Sequence, residues 1–166
     1  MFSEIDHSRM LTALEEARRA AERDEVPIGA VLVHRESGDI VATAGNRSIE
    51  LADPTAHAEL QAIRQASQAL GSPRLDGCVI YASGHPCPMC LAAKHLCGIQ
   101  AAWFAYSNED GEPFGLSTAT LYAEMARPPQ RQSLPLRALR PAGEEGLYRQ
   151  WRQRIFHRHQ QMGQQR

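Results

Sequence analysis

The chain has 166 residues, 43% of them apolar and 22% charged, with a formal net charge of −1. That length carries one compact domain with a core, and that composition excludes a disordered chain. No apolar run approaches a membrane span. The N-terminus, MFSEIDHSRM, lacks a charged segment leading into an apolar stretch, and four cysteines (78, 87, 90, 97) are too few for a disulfide scaffold. The expectation is a reducing, cytoplasmic setting with no membrane contact.

The elements follow in chain order. Residues 8–23 place Met10, Leu14, Ala17 and Ala21 at helical spacing, and Pro27 and Gly29 end the pattern. Ile28 to Val33 reads as a strand, Ser37-Gly38-Asp39 as a turn, and Ile40 to Ala44 as the antiparallel mate. A polar loop begins at Gly45-Asn46-Arg47. Asp53 is a candidate cap and Pro54 a first-turn residue for a helix over 55–69, stopped by Gly71-Ser72-Pro73. Cys78 to Ala82 reads as a buried strand, 88–97 as a helix closing at Gly98, and Gln100 to Tyr106 as a strand. Residues 107–115 read as a loop and 116–126 as a short helix. The stretch 127–141 holds four prolines and reads as extended. Leu147, Tyr148, Trp151, Ile155 and Phe156 give a last helix one apolar face, and QQMGQQR reads as a frayed end. Helices alternating with strands point to an α/β domain, a single one over 1–166, with a sheet covered on both faces.

Charge is unevenly spread. Residues 1–126 carry 9 Lys and Arg against 17 Asp and Glu, a balance of −8, while 127–166 carry 9 arginines against Glu144 and Glu145, a balance of +7. A basic segment lying on the acidic body of its own or a partner subunit competes here with a nucleic-acid contact. An arm that neutralises its own molecule steers polyanions poorly, so nucleic acid is the less expected partner.

His57-Ala58-Glu59 and Pro86-Cys87-Pro88-Met89-Cys90 carry the chemistry. One imidazole and two thiolates form a three-ligand zinc set, and three protein ligands leave a fourth position for water. Cys87 and Cys90 are three apart at a helix start, where free N–H groups favour thiolate. His57 is expected in the first turn of the preceding helix. Residues 57 and 59 do not share a helical face, so both serve one site only if it lies off the helix tip. Glu59 is then the acid–base group. A lone C-x-x-C also reads as a redox pair or a structural knuckle, and His85 is a competing fourth ligand that would close the site. Cys78 and Cys97 read as small buried apolar groups.

At these residues the chain resembles the cytidine deaminase superfamily of zinc-dependent base deaminases. The strings DPTAHAELQAIRQA and YASGHPCPMCLAA are similar to those of bacterial nucleobase deaminases, guanine deaminases most closely. The resemblance runs from about residue 26 to 126 and more weakly to 152. It implies a three-layer α/β/α fold with a five-stranded mixed sheet, one zinc per chain, and a homodimer. It also implies that the basic segment from about 127 to 166 covers the active site. The implied reaction is hydrolytic deamination of a purine base, guanine to xanthine and ammonia. Guanosine, cytosine, a triazine, a pterin or transfer-RNA adenosine are the alternatives, and a non-catalytic zinc module is the non-enzyme reading.

The resemblance also supplies substrate residues. Asn46 falls where the family binds the base, Asp110 matches an acidic residue after the fourth strand, and Phe114 is placed to stack. Asn46 and Asp110-Gly111 also read as turns, and Glu109 and Glu112 compete with Asp110. The chain has His85-Pro86-Cys87 where guanine deaminases carry Glu-Pro-Cys.

Overall fold

A computed structural model describes the backbone of residues 3–163 and the side chains of residues 3–156. The chain divides into two compact units, one running to Pro128 and the other starting at Pro129.

The first unit opens with α1 (Glu4–Glu22). A reciprocal Ser3–Asp6 capping box starts it, four residues before the expected beginning. Next come β1 (Gly29–His34), β2 (Ile40–Gly45), α2 (Ala58–Leu70), β3 (Cys78–Gly84), α3 (Pro88–Cys97) and β4 (Ala101–Tyr106). The expected loop over 107–115 contains α4 (Asn108–Gly111) and a 3₁₀ turn, Glu112–Phe114, and α5 (Ala119–Met125) follows.

The strands form one sheet in the order β2-β1-β3-β4. β1 pairs antiparallel with both β2 and β3, and β3 pairs parallel with β4, so the sheet is mixed. Among the described residues the sheet has four strands, which corrects the five that the resemblance implied. The stretch read as extended, 127–141, forms no strand; its four prolines each lack the N–H that a ladder needs.

Alternation along the strands builds two cores. Val31, Val33, Val79 and Tyr81 face α1 through Ala13, with Met10 and Trp103 packed beside them. Ala30, Leu32, Cys78 and Ile80 face the opposite way, against Ala58, Ala62 and Ala66 of α2 and Cys97 of α3. This is the three-layer arrangement: α1, sheet, then α2 with α3. Alanines at i, i+4, i+8 let α2 sit close to the sheet. On the other side, a Cβ on Gly29 would lie 2.2 Å from the Ala13 carbonyl oxygen, so only glycine admits α1 there.

The second unit contains a 3₁₀ turn at Pro129–Arg131 and α6 (Leu147–Gly163). The helix runs through residues 160–163, where the sequence suggested fraying; residues 164–166 lie outside the described ones. Among the described residues, no helix is long and apolar enough to cross a membrane.

Candidate active site

α2 and α3 begin on the same side of the sheet, and each begins with a candidate ligand. His57 is the N-cap of α2, with extended φ −67° and ψ 149° and no side-chain cap bond. Cys87 is the N-cap of α3, with φ −71° and ψ 164°. The placement of His57 inside the first turn, with Asp53 as cap, is therefore corrected. Asp53 instead closes a local turn, accepting bonds from the Thr55 N–H (2.8 Å) and Oγ1 (2.7 Å). As an N-cap, His57 leaves the helical path, so its ring and the Glu59 carboxylate approach one spot without sharing a face.

The ligand atoms of His57, Cys87 and Cys90 lie within 4.8 Å of one another, the one such group of three among the described residues. His57 Nδ1 is 3.6 Å from Cys87 Sγ and 3.7 Å from Cys90 Sγ. A tetrahedral zinc, about 2.3 Å from sulfur and about 2.0 Å from nitrogen, separates those donors by about 3.5 Å. The donor set thus fits zinc in chemistry and in spacing. His85 is not in the group. Its Nδ1 lies 3.0 Å from the Pro86 carbonyl oxygen, and its ring packs edge-on against Phe104 and Tyr122. The Tyr122 hydroxyl donates to the same carbonyl (2.6 Å), bracing the turn that carries Cys87.

The two thiols differ in acidity. Hydrogen bonding from Cys90, then from His57 and the Cys90 N–H, holds Cys87 down to about 4 against its burial. Cys90 is pushed up, first by its bond to Cys87, then by burial and the charge of Glu59. His57 is raised, chiefly by its bond to Cys87. Zinc takes thiolates and a neutral imidazole, so adding it to metal-free protein near neutral pH is expected to release protons, from the raised Cys90 thiol and from His57 where it is protonated, readable with an indicator dye in weak buffer. Uptake without acidification would contradict a site that holds these protons when empty.

Glu59 is 3% exposed, and one of its oxygens accepts a 3.0 Å bond from Lys94 Nζ. Lys94 is absent from the sequence reading. The signal for it was the Cys90-x-x-x-Lys94 spacing, which puts both residues on one face of α3. Glu25 was missed as well. Its buried carboxylate accepts the N–H groups of Ile49 (3.2 Å) and Glu50 (2.6 Å), fixing the loop after Asn46.

The substrate residues are placed as follows. Asn46 is buried, and its Oδ1 accepts the Ser48 N–H (2.8 Å) and Oγ (2.6 Å), leaving its NH₂ group to donate. Asp110 is exposed and is the third residue of α4; it closes a capping box with the N-cap Ser107, accepting its N–H at 2.8 Å, and its bonds to Ser107 lower its pKa. Asp110 and Phe114 both line a half-open, mostly apolar cleft of about 630 Å³, with His85, Asn108 and Leu14 and Arg18 of α1. Neither Asn46 nor any of the three candidate ligands lines it, though Gly84 and His85 bring its wall to within two residues of Cys87.

The model of the cytidine and deoxycytidylate deaminase zinc-binding region matches residues 3–106. The chain belongs to that family. Among this family's curated members, a tRNA-specific adenosine deaminase of Agrobacterium fabrum is 49% identical over 102 residues, 61% of this chain and 66% of that protein. The guanine deaminase of Bacillus subtilis is 35% identical over 126 residues, 76% of this chain and 80% of the relative. Its crystal structure superposes with a TM-score of 0.82 at 30% identity, covering 92% of this chain and 95% of that one. A solved tRNA:A34 deaminase gives a TM-score of 0.59 at 48% identity, covering 61% and 76%. The chain thus spans just under two thirds of the first of these relatives. The two kinds of relative are named for different substrates, transfer-RNA adenosine and guanine.

Proposed function

We propose that this zinc deaminase hydrolyses the exocyclic amino group of a free purine base, converting guanine to xanthine and ammonia. The observation that carries the reading is the extent of structural likeness to a guanine deaminase, 92% of the chain at a TM-score of 0.82. The tRNA:A34 deaminase likeness stops at 61% of the chain.

Zinc held by His57, Cys87 and Cys90 would supply a Lewis acid that lowers the pKa of water from 15.7 to about 7. Glu59 takes a proton from the attacking water and delivers protons to the ring nitrogen and the departing amine. A C–O bond forms at the amino-bearing carbon, the C–N bond breaks, and ammonia leaves. Asn46 is oriented to give its NH₂ hydrogens to a ring acceptor, because Ser48 occupies its oxygen. Asp110 and Phe114 contribute an acceptor and a stacking face from the cleft. A homodimer accords with apolar side chains left exposed in the first unit, Leu96 at 80% and Tyr106 at 58% among them.

The higher identity to tRNA-specific adenosine deaminases favours a second reading, an adenosine in transfer RNA. One screen separates the two. Ammonia release is measured with guanine, guanosine, adenine, cytosine, cytidine and a tRNA anticodon stem-loop. The free-base reading expects turnover of guanine, with KM insensitive to salt. Turnover of the stem-loop alone, weakening steeply as salt rises, would replace it with the second.

A further inference from the structure

Lys94 and Glu59 form a buried ion pair, Nζ to Oε1 at 3.0 Å, with side chains only 5% and 4% exposed. The pairs Arg18–Glu15, Arg19–Glu15, Arg19–Glu16, Arg47–Glu50, Arg74–Asp76 and Arg127–Glu124 each have at least one partner exposed to solvent. A buried lysine without a counter-charge is strongly disfavoured, so a specific requirement must hold this one in place. Its position identifies that requirement. Lys94 lies one turn beyond Cys90 on α3, and its ammonium crosses to the first turn of α2. It therefore ties together the two helix starts that carry the metal ligands.

We infer that Lys94 is the positioning residue of Glu59: it fixes the carboxylate's rotation so that one oxygen is committed and the other remains to exchange protons. The inference rests on the reading of Glu59 as the proton carrier. The Lys94 ammonium holds the carboxylate by a directed, charge-assisted hydrogen bond to one of its oxygens. Groups that orient a metal site from behind in this way matter by about 10–100-fold in activity when removed.

The test is a double-mutant cycle with two readouts. Lys94→Met should lower kcat with guanine, or with whichever base the screen identifies, by about 10–100-fold, with KM and zinc content unchanged. Lys94→Arg, which keeps the charge and the donor, should recover part of that loss. In the Glu59→Gln background, Lys94→Met should reduce the residual turnover no further, because its effect passes through the carboxylate. The second readout is thermal melting of the zinc-loaded proteins. Lys94→Met alone strands a buried carboxylate and should lower the midpoint by about 10 °C, while the same change in the Glu59→Gln background should cost much less. Equal losses of kcat in both backgrounds would overturn the inference, as would a Lys94→Met protein with normal kcat. Full turnover by Glu59→Gln alone is a different outcome, and it sinks the parent reading of Glu59 instead.

Discussion

Glu59→Gln keeps zinc and lowers turnover by about 10²–10⁴-fold, the range for a positioned acid–base group, at a cost in thermal stability because the buried Lys94 loses its counter-charge. The substitution keeps the volume of a side chain that is 3% exposed, and the amide oxygen it introduces still accepts the bond from Lys94. His57, Cys87 and Cys90 are untouched, so zinc measured by atomic absorption should match the parent protein. What is lost is the ability to take up and return a proton beside the metal. The expected signature is a fall in kcat without a matching rise in KM, because the change removes an interaction of the reaction and not of binding. Normal deamination by the variant would show that protons move by another route.

Removing Cys87 and Cys90 together, both to alanine, should abolish zinc binding and activity with it. The pair supplies two of the three donors, and no other group of three among the described residues offers a replacement. The informative control is the other cysteine pair. Cys78 and Cys97 are buried in the core between the sheet, α2 and α3. Burial raises both thiols, which is the environment of inert apolar sulfur. Cys78→Ala with Cys97→Ala should lose some stability and keep full zinc. Full zinc in the Cys87/Cys90 variant would contradict the ligand assignment, and zinc loss confined to the Cys78/Cys97 variant would transfer it.

Short apolar, β-branched and aromatic runs bounded by turn residues located all four strands within two residues; β1 and β3 read as continuous runs because they are buried along almost their whole length, and β4, which buries no residue fully, showed through its aromatic content. The two metal motifs were legible for a different reason: ligand chemistry restricts residue type at fixed spacing. The cap of α2 was misjudged because Asp53 suits both an N-cap and a local turn, and the turn won through Thr55. The fifth strand came from the family resemblance alone; no run of the chain's own residues was read as one. Lys94 escaped notice because a lysine on a helix is ordinarily a solvated group, and only the tertiary approach of α2 makes it a partner of Glu59. The cleft was equally invisible, since α1, β3, β4 and α4 contribute walls that are far apart in the chain. Site residues set by local spacing could be read from the sequence, and those set by packing between elements could not.

X-ray absorption at the zinc edge of the metal-loaded protein bears most directly on the site. Two sulfurs and one imidazole nitrogen are expected in the inner sphere, together with one light, exchangeable scatterer that shifts when a substrate analogue is added. A saturated sphere with a second imidazole from His85 and no exchangeable atom would contradict a hydrolytic role for this centre.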